Sequence, residues 1–196
     1  MIETAETVRR FWLEEVGPEG WYGGGEDLDA RIRKRFRATW DCAAEGGLLH
    51  WTVTGPGTLA YLIVTDQFPR NMFRDDPRAF STDRRALAAA KRALVAGADL
   101  HVEGDARQFF YLPLEHSEST PDQHRAVRLI HARMDAPETL LHARAHRRVI
   151  RAHGRFPHRN EALGRDSSGA EREMLDRGGY AAVVREMRDA PEKAAA

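Results

Sequence analysis

Tyr111-Leu112-Pro113-Leu114-Glu115-His116-Ser117-Glu118 is an apolar, helix-forming run that meets a proline and then gives way to charge. Pro113 lacks a backbone donor and its ring crowds the preceding turn, so a helix carrying Phe109, Phe110 and Leu112 should be kinked or interrupted here. Two shorter stretches echo each other: Thr65-Asp66-Gln67-Phe68-Pro69-Arg70-Asn71 and Gly154-Arg155-Phe156-Pro157-His158-Arg159-Asn160. Each of the three falls where a helix is expected to end. No segment shows the strict alternation of a half-exposed strand. The reading is an all-α chain of stacked antiparallel helix pairs with short connections and about eight main helices.

Working outward, residues 3–16 read as a first helix with Val8, Phe11, Trp12 and Leu13 on its apolar stripe, ended by Gly17-Pro18. Trp21 and Tyr22 fall in a Gly-rich loop and are expected to fold back onto the core. A second helix runs from Asp27 to Glu45 with Leu28, Ile32, Phe36 and Trp40 at helical spacing. A third runs from Thr58 to Asp66 or Gln67, and Pro69 should end it by restricting Phe68. Thr82 is read as the cap of an Ala-rich fourth helix that stops before Gly97. A fifth starts near Asp105 and meets Pro113. Thr120-Pro121-Asp122-Gln123 opens a sixth, reaching Met134, and Pro137 a seventh, stopped by Gly154. Ser168-Gly169-Ala170-Glu171 is a capping box for an eighth. One helical domain is expected over residues 1–188, with a frayed tail over 189–196.

The 196 residues suffice for a proper core, and 42% hydrophobic with 31% charged is the balance of a soluble globular chain. The 30 basic residues equal the 30 acidic ones, which argues against a partner held by phosphate contacts, so nucleic acid is not an expected ligand. Only Lys34, Lys91 and Lys193 are lysines, leaving 27 arginines among the 30. Arginine stays charged when partly buried and pairs bidentately with carboxylates, so ion-pair networks are one reading of this bias and genomic composition is the other. Cys42 stands alone, which excludes a disulfide framework and a thiolate metal cluster. No leader segment and no apolar run of bilayer length is read, so the expected setting is the cytoplasm, without a membrane partner.

If the helices run up and down, the segments after helices three, five and seven lie at one end of the array. The polar groups expected there are Asp66, Gln67, Arg70, Asn71, Glu115, His116, Glu118, Arg155, His158, Arg159 and Asn160. A structural network is one reading, with Glu115 and Glu118 neutralising Arg70 and Arg159. An open site for a peptide or small acidic ligand is the other, with the arginines and asparagines holding a carboxylate or phosphate. An enzyme, hydrolytic in character, is the alternative function, with His116 and Glu118 as acid and base. Glu115 and His116 are adjacent and point different ways, and no H-E-x-x-H spacing occurs, so neither metal nor cofactor is expected. His142, His146 and His153 share a face of helix seven among Arg144, Arg147, Arg148 and Arg151, and are read as part of a solvated basic face.

The same segments resemble a bacterial family known as domain of unknown function 924. Phe11-Trp12 with Trp21-Tyr22, Asp66 through Asn71, Tyr111 through Glu118, and Gly154 through Asn160 with Leu163-Gly164-Arg165 carry the resemblance. Thr65 stands where the family's pattern usually has Leu, and His153 where it usually has Phe. The resemblance implies a tetratricopeptide-like helical fold and no established activity. Such a fold is not visible as a repeat, for the only internal echo is Phe-Pro with Arg-Asn, 88 residues apart from Phe68 to Phe156.

Overall fold

The computed structural model of the chain describes residues 1–189, and among them it is helical with no strand. The expected tail therefore lies outside the described residues from position 190 onward. The chain divides into two compact units, Met1–Leu114 and Glu115–Ala196.

In the first unit, α1 (Ala5–Arg10) is capped by Thr4, whose hydroxyl accepts from the Thr7 N–H. It runs into a π-helical turn, Phe11–Val16, and Gly17 at φ +67° ends that turn as expected. The chain does not then enter a loop. Pro18 starts α2 (Gly17–Gly23), because proline suits the first helical turn. Trp21 is consequently buried on a helix, its Nε1 donating to the Trp12 carbonyl at 2.7 Å, whereas Tyr22 stays 65% exposed. The long α3 (Glu26–Glu45) buries Ile32, Phe36 and Trp40 on the stripe read from sequence. Thr54 caps α4 (Gly55–Leu62) through the Gly57 N–H. Phe11, Phe36 and Phe68 meet at 4.7–6.1 Å between ring centroids, and Trp12 stands edge-on to Phe68 at 5.5 Å.

Pro69 does not end the helix. A π-helical turn, Ile63–Gln67, leads directly into α5 (Phe68–Met72), with Phe68 itself helical. A proline removes the bond that its N–H would make to the carbonyl four residues back, here Thr65. The Thr82 hydroxyl donates to that carbonyl at 2.6 Å instead, and the wider i→i−5 turn relieves the ring. Thr82 also accepts from Trp40 Nε1 at 3.3 Å. Its side chain therefore makes no capping bond to α6 (Asp83–Val95), against the sequence expectation. After α6 come 3-10 turns, Ala98–His101 and Gly104–Phe110, and then the short α7 (Leu112–Glu115); the helix expected from Asp105 is thus a 3-10 segment broken before Pro113.

In the second unit α8 (Thr120–Arg133) and α9 (Pro137–His153) pack together, joined by residues 134–136. Ser119 rather than Thr120 stands at the N-cap, and no side chain caps α8. The Gln123 amide instead donates to the carbonyls of Glu115 and Ser117. Gly154, at φ +73°, closes α9 in the left-handed conformation that favours glycine. The capping box at Ser168 and Glu171 opens α10 (Gly169–Asp176) as expected, and α11 (Gly179–Asp189) packs on α9. Val149, Ile150 and Phe156 form the core here, with Met174, Tyr180 and Val183 against them.

Thr82→Val keeps the shape but deletes the donor that replaces the Pro69 N–H. Depriving the Thr65 carbonyl of this donor and the Trp40 Nε1–H of its acceptor should cost about 1–3 kcal/mol in urea unfolding, and Thr82→Ser should recover most of it.

Candidate functional site

The polar residues of the first unit serve each other. Gln67 Nε2 donates to Asp66 Oδ2 at 2.5 Å. Arg70 forks onto both oxygens of Asp83 at 3.0 Å and lies 3.5 Å from Asp66. Burial would lower the Arg70 pKa, but the Asp66 and Asp83 charges and the Asp83 hydrogen bond raise it. Asn71 donates to Asp29 at 2.9 Å, and Arg74 holds the same buried carboxylate from both sides. Asp29 and Asp83, the carboxylates that answer Arg74 and Arg70, were not singled out in the sequence. Beside this network a cleft of ≈ 660 Å³ is lined by Arg33, Arg37, Arg74 and Arg78 and also by Glu26, Asp29 and Asp76. Arg74 and Arg78 pair with its own Asp29 and Asp76, Arg37 pairs with Asp41, and Arg33 donates to the Met72 carbonyl.

In the second unit Glu118 is the hub of a similar network. Its carboxylate accepts from the Phe156 N–H at 2.8 Å and from the Arg165 guanidinium at 2.8 and 3.0 Å. Burial alone would raise its pKa. The Arg165 hydrogen bonds, the Phe156 N–H and the charges of Arg165 and Arg159 outweigh that and hold the group below the usual glutamate range. Arg165 Nε reaches Asn160 Oδ1 at 3.0 Å, and Asn160 Nδ2 reaches Ser167 Oγ at 3.0 Å. Buried Arg159 lies over the Phe156 ring at 4.4 Å, and exposed His158 packs on the same ring. Arg155 forks onto buried Glu171 at 2.6 and 2.8 Å and reaches the Asp166 carbonyl. Thus Glu118, Phe156, Asn160 and Arg165 are joined, while Arg155 belongs to a separate pair at the start of α10.

Glu115 and His116 meet α9 rather than that hub. Glu115 is 1% exposed, with Oε2 3.5 Å from His146 Nδ1 and no hydrogen-bond partner for Oε1 among the described residues. The His116 and His146 rings stand edge to face at 6.0 Å. His146 Nδ1 lies 3.0 Å from the His142 carbonyl, and the Tyr180 hydroxyl lies 2.8 Å from His142 Nδ1. Burial, then the neighbouring His146, lower the His142 pKa against the pull of Glu115 and Glu138, with Arg188 adding to the fall. His142 is therefore neutral near pH 7, and its Nδ1 can accept from Tyr180. His142 and His146 are turned inward, not onto a solvated basic face. A helical wheel carries the signal: at about 100° per residue they project opposite to Arg144, Arg147, Arg148 and Arg151. Tyr180 had no such signal.

On that opposite face, Arg144, Arg147, Arg148 and Arg151 line a cleft of ≈ 420 Å³ with Ala152 and Met187. Arg148 pairs with Glu186 at 2.8 Å. Arg144, Arg147 and Arg151 have no ion pair or side-chain hydrogen bond among the described residues. Burial, and then the Arg151 and Arg144 charges, push the Arg147 pKa below the usual arginine value. Among the described residues no group of three or more His, Cys, Asp or Glu side chains is arranged to hold a metal ion. No helix among them is long and apolar enough to cross a membrane.

The pattern of a family described as bacterial protein of unknown function (DUF924) matches residues 8–179, and the chain belongs to that family. Its fold is similar to that of ATU0120, a protein of unknown function from Agrobacterium tumefaciens, at TM-score 0.84 and 36% identity, covering 89% of this chain and 97% of that one. No curated protein matches the chain.

Two measurements test these networks. Glu118→Gln removes one charge from a partly buried pair, 24% and 29% exposed, and weakens three hydrogen bonds. Urea unfolding should show a loss of about 1–2 kcal/mol, limited by solvent screening. For His142, the pKa is depressed on folding, so its contribution is whole above the unfolded value of about 6.5 and is lost as pH falls through the folded value. The melting temperature should therefore fall on acidification below about pH 6.5, and fall less in His142→Gln.

Proposed function

We propose that the chain is a cytoplasmic helical binding module that holds a small acidic ligand in the arginine-lined cleft between α9 and α11. The observation that carries this reading is the row Arg144, Arg147 and Arg151, three cations in one cleft with no carboxylate paired to them among the described residues. Three arginines elsewhere in the described chain are answered, Arg70 by Asp83, Arg155 by Glu171 and Arg165 by Glu118; partly buried Arg9 and Arg125 are not, but neither stands in a row of cations within one cleft. Cations brought together without counter-charge repel one another, and a bound anion relieves that repulsion. A volume of ≈ 420 Å³ suits a small molecule.

Arg70 and Arg155 were the first candidates for anion binding. Their guanidinium edges are spent on carboxylates, which favours the α9 cleft over them. Both units belong to the module in this reading, since the family match runs without a break through the division at Leu114. The test is a thermal-shift titration with citrate, malonate and phosphate at constant ionic strength. At least one anion should raise the melting temperature saturably, and Arg147→Gln should abolish the rise. If none stabilises the wild type, or if Arg147→Gln responds equally, the cleft is not the ligand site.

A further inference from the structure

The chemistry of the ligand can be narrowed by matching charge to geometry, an argument that rests on the cleft being the ligand site. We infer that the cleft takes a diphosphate group carried on a small organic molecule.

Three guanidiniums with no ion pair among the described residues present three positive charges and up to fifteen N–H donors. One carboxylate carries a single negative charge and is filled by one guanidinium fork, as Arg155 fills Glu171 in this chain. A lone carboxylate would therefore leave two cations of the row unanswered. A phosphate carries about −1.5 to −2 charges at neutral pH and offers three terminal oxygens, so two linked phosphates match the row in charge and in acceptors.

Spacing agrees. Arg144, Arg147 and Arg151 stand at i, i+3 and i+7 on one side of α9, a rise of roughly 10 Å from first to last. Neighbouring members of the row are one helical turn apart, where side chains converge on a shared partner. With the flexible outer side chains bent inward, one phosphate would be shared by Arg147 and Arg151 and the next by Arg144 and Arg147. Arg147 would serve both. Burial and both neighbouring charges act against its charged form, which an answering anion would relieve.

Arg148 can join as a fourth donor, because its pair with Glu186 is solvent-exposed on both sides and is worth little. Met187 and Ala152 supply the apolar part of the lining, a place for carbon rather than charge. That composition points to an organic diphosphate. A nucleic-acid backbone would need a longer basic track than one cleft in a chain of zero net charge.

The experiment is isothermal titration of the full chain with inorganic pyrophosphate, inorganic phosphate, malonate and a short single-stranded oligonucleotide, all at one ionic strength. Arg147→Gln and Arg177→Gln are measured alongside, with circular dichroism to confirm that both fold. Pyrophosphate should bind at least tenfold more tightly than malonate or phosphate, weaken at least tenfold in Arg147→Gln, and be unchanged in Arg177→Gln. If malonate binds as tightly as pyrophosphate and still depends on Arg147, the diphosphate inference fails and the acidic-ligand reading stands. If the oligonucleotide alone binds through Arg147, the ligand is nucleic acid and the inference fails. If nothing binds in an Arg147-dependent way, both fall.

Discussion

Arginine cannot shed its proton inside a protein, so a chain with 27 arginines and three lysines must answer each one that it buries. That constraint organises the polar segments of this structure. Arg70 draws Asp83 at the start of α6 onto the end of α5. Arg165 reaches back across 47 residues to Glu118 and fixes the Phe156 loop through the same carboxylate. Arg155 pins the capping box of α10. Each pair ties a helix end to a distant stretch of chain. Arg9 and Arg125 depart from that pattern singly, and the row on α9 departs from it as a group.

The pairs also explain why the polar segments carry so much unusual chemistry in the sequence. Carboxylates, arginines, histidines and asparagines collected at helix ends have the composition of an active site, and most of them have spent their hydrogen-bonding capacity on one another. Glu118 makes the point: three donors converge on two oxygens and hold the group ionised. Glu115 is different. It is buried, with one oxygen near His146 and the other without a hydrogen-bond partner among the described residues, a position that folding alone does not reward.

What could be read in advance followed from one-sidedness. The stripe Ile32, Phe36, Trp40 was legible because α3 has one buried face and one wet face. The stretch from Gly57 to Pro69 was legible as a helix as far as Gln67 but not in its facing, because every residue in it is buried and no face can be distinguished. Its continuation through Pro69 was hidden as well, since the rescue comes from Thr82, whose hydroxyl looked like a helix cap. The ionic partners Asp83, Arg165 and Glu171 were not visible as partners, because pairing across tens of residues has no period. The α9 faces were legible in principle: the angular separation of histidines from arginines is present in the sequence, and reading all of them as one solvated surface lost it.

The π-helical turn Ile63–Gln67 has a consequence for how this chain can change. A turn closed i→i−5 admits one residue more than an α-turn, so the helix beyond it is out of phase with the helix before it by about 100°. With that offset in place, Arg70 and Asn71 meet Asp83 and Asp29. Losing a single residue from this turn would therefore not merely shorten the chain; it would swivel α5 and part both pairs. Length at this point is a setting of angle.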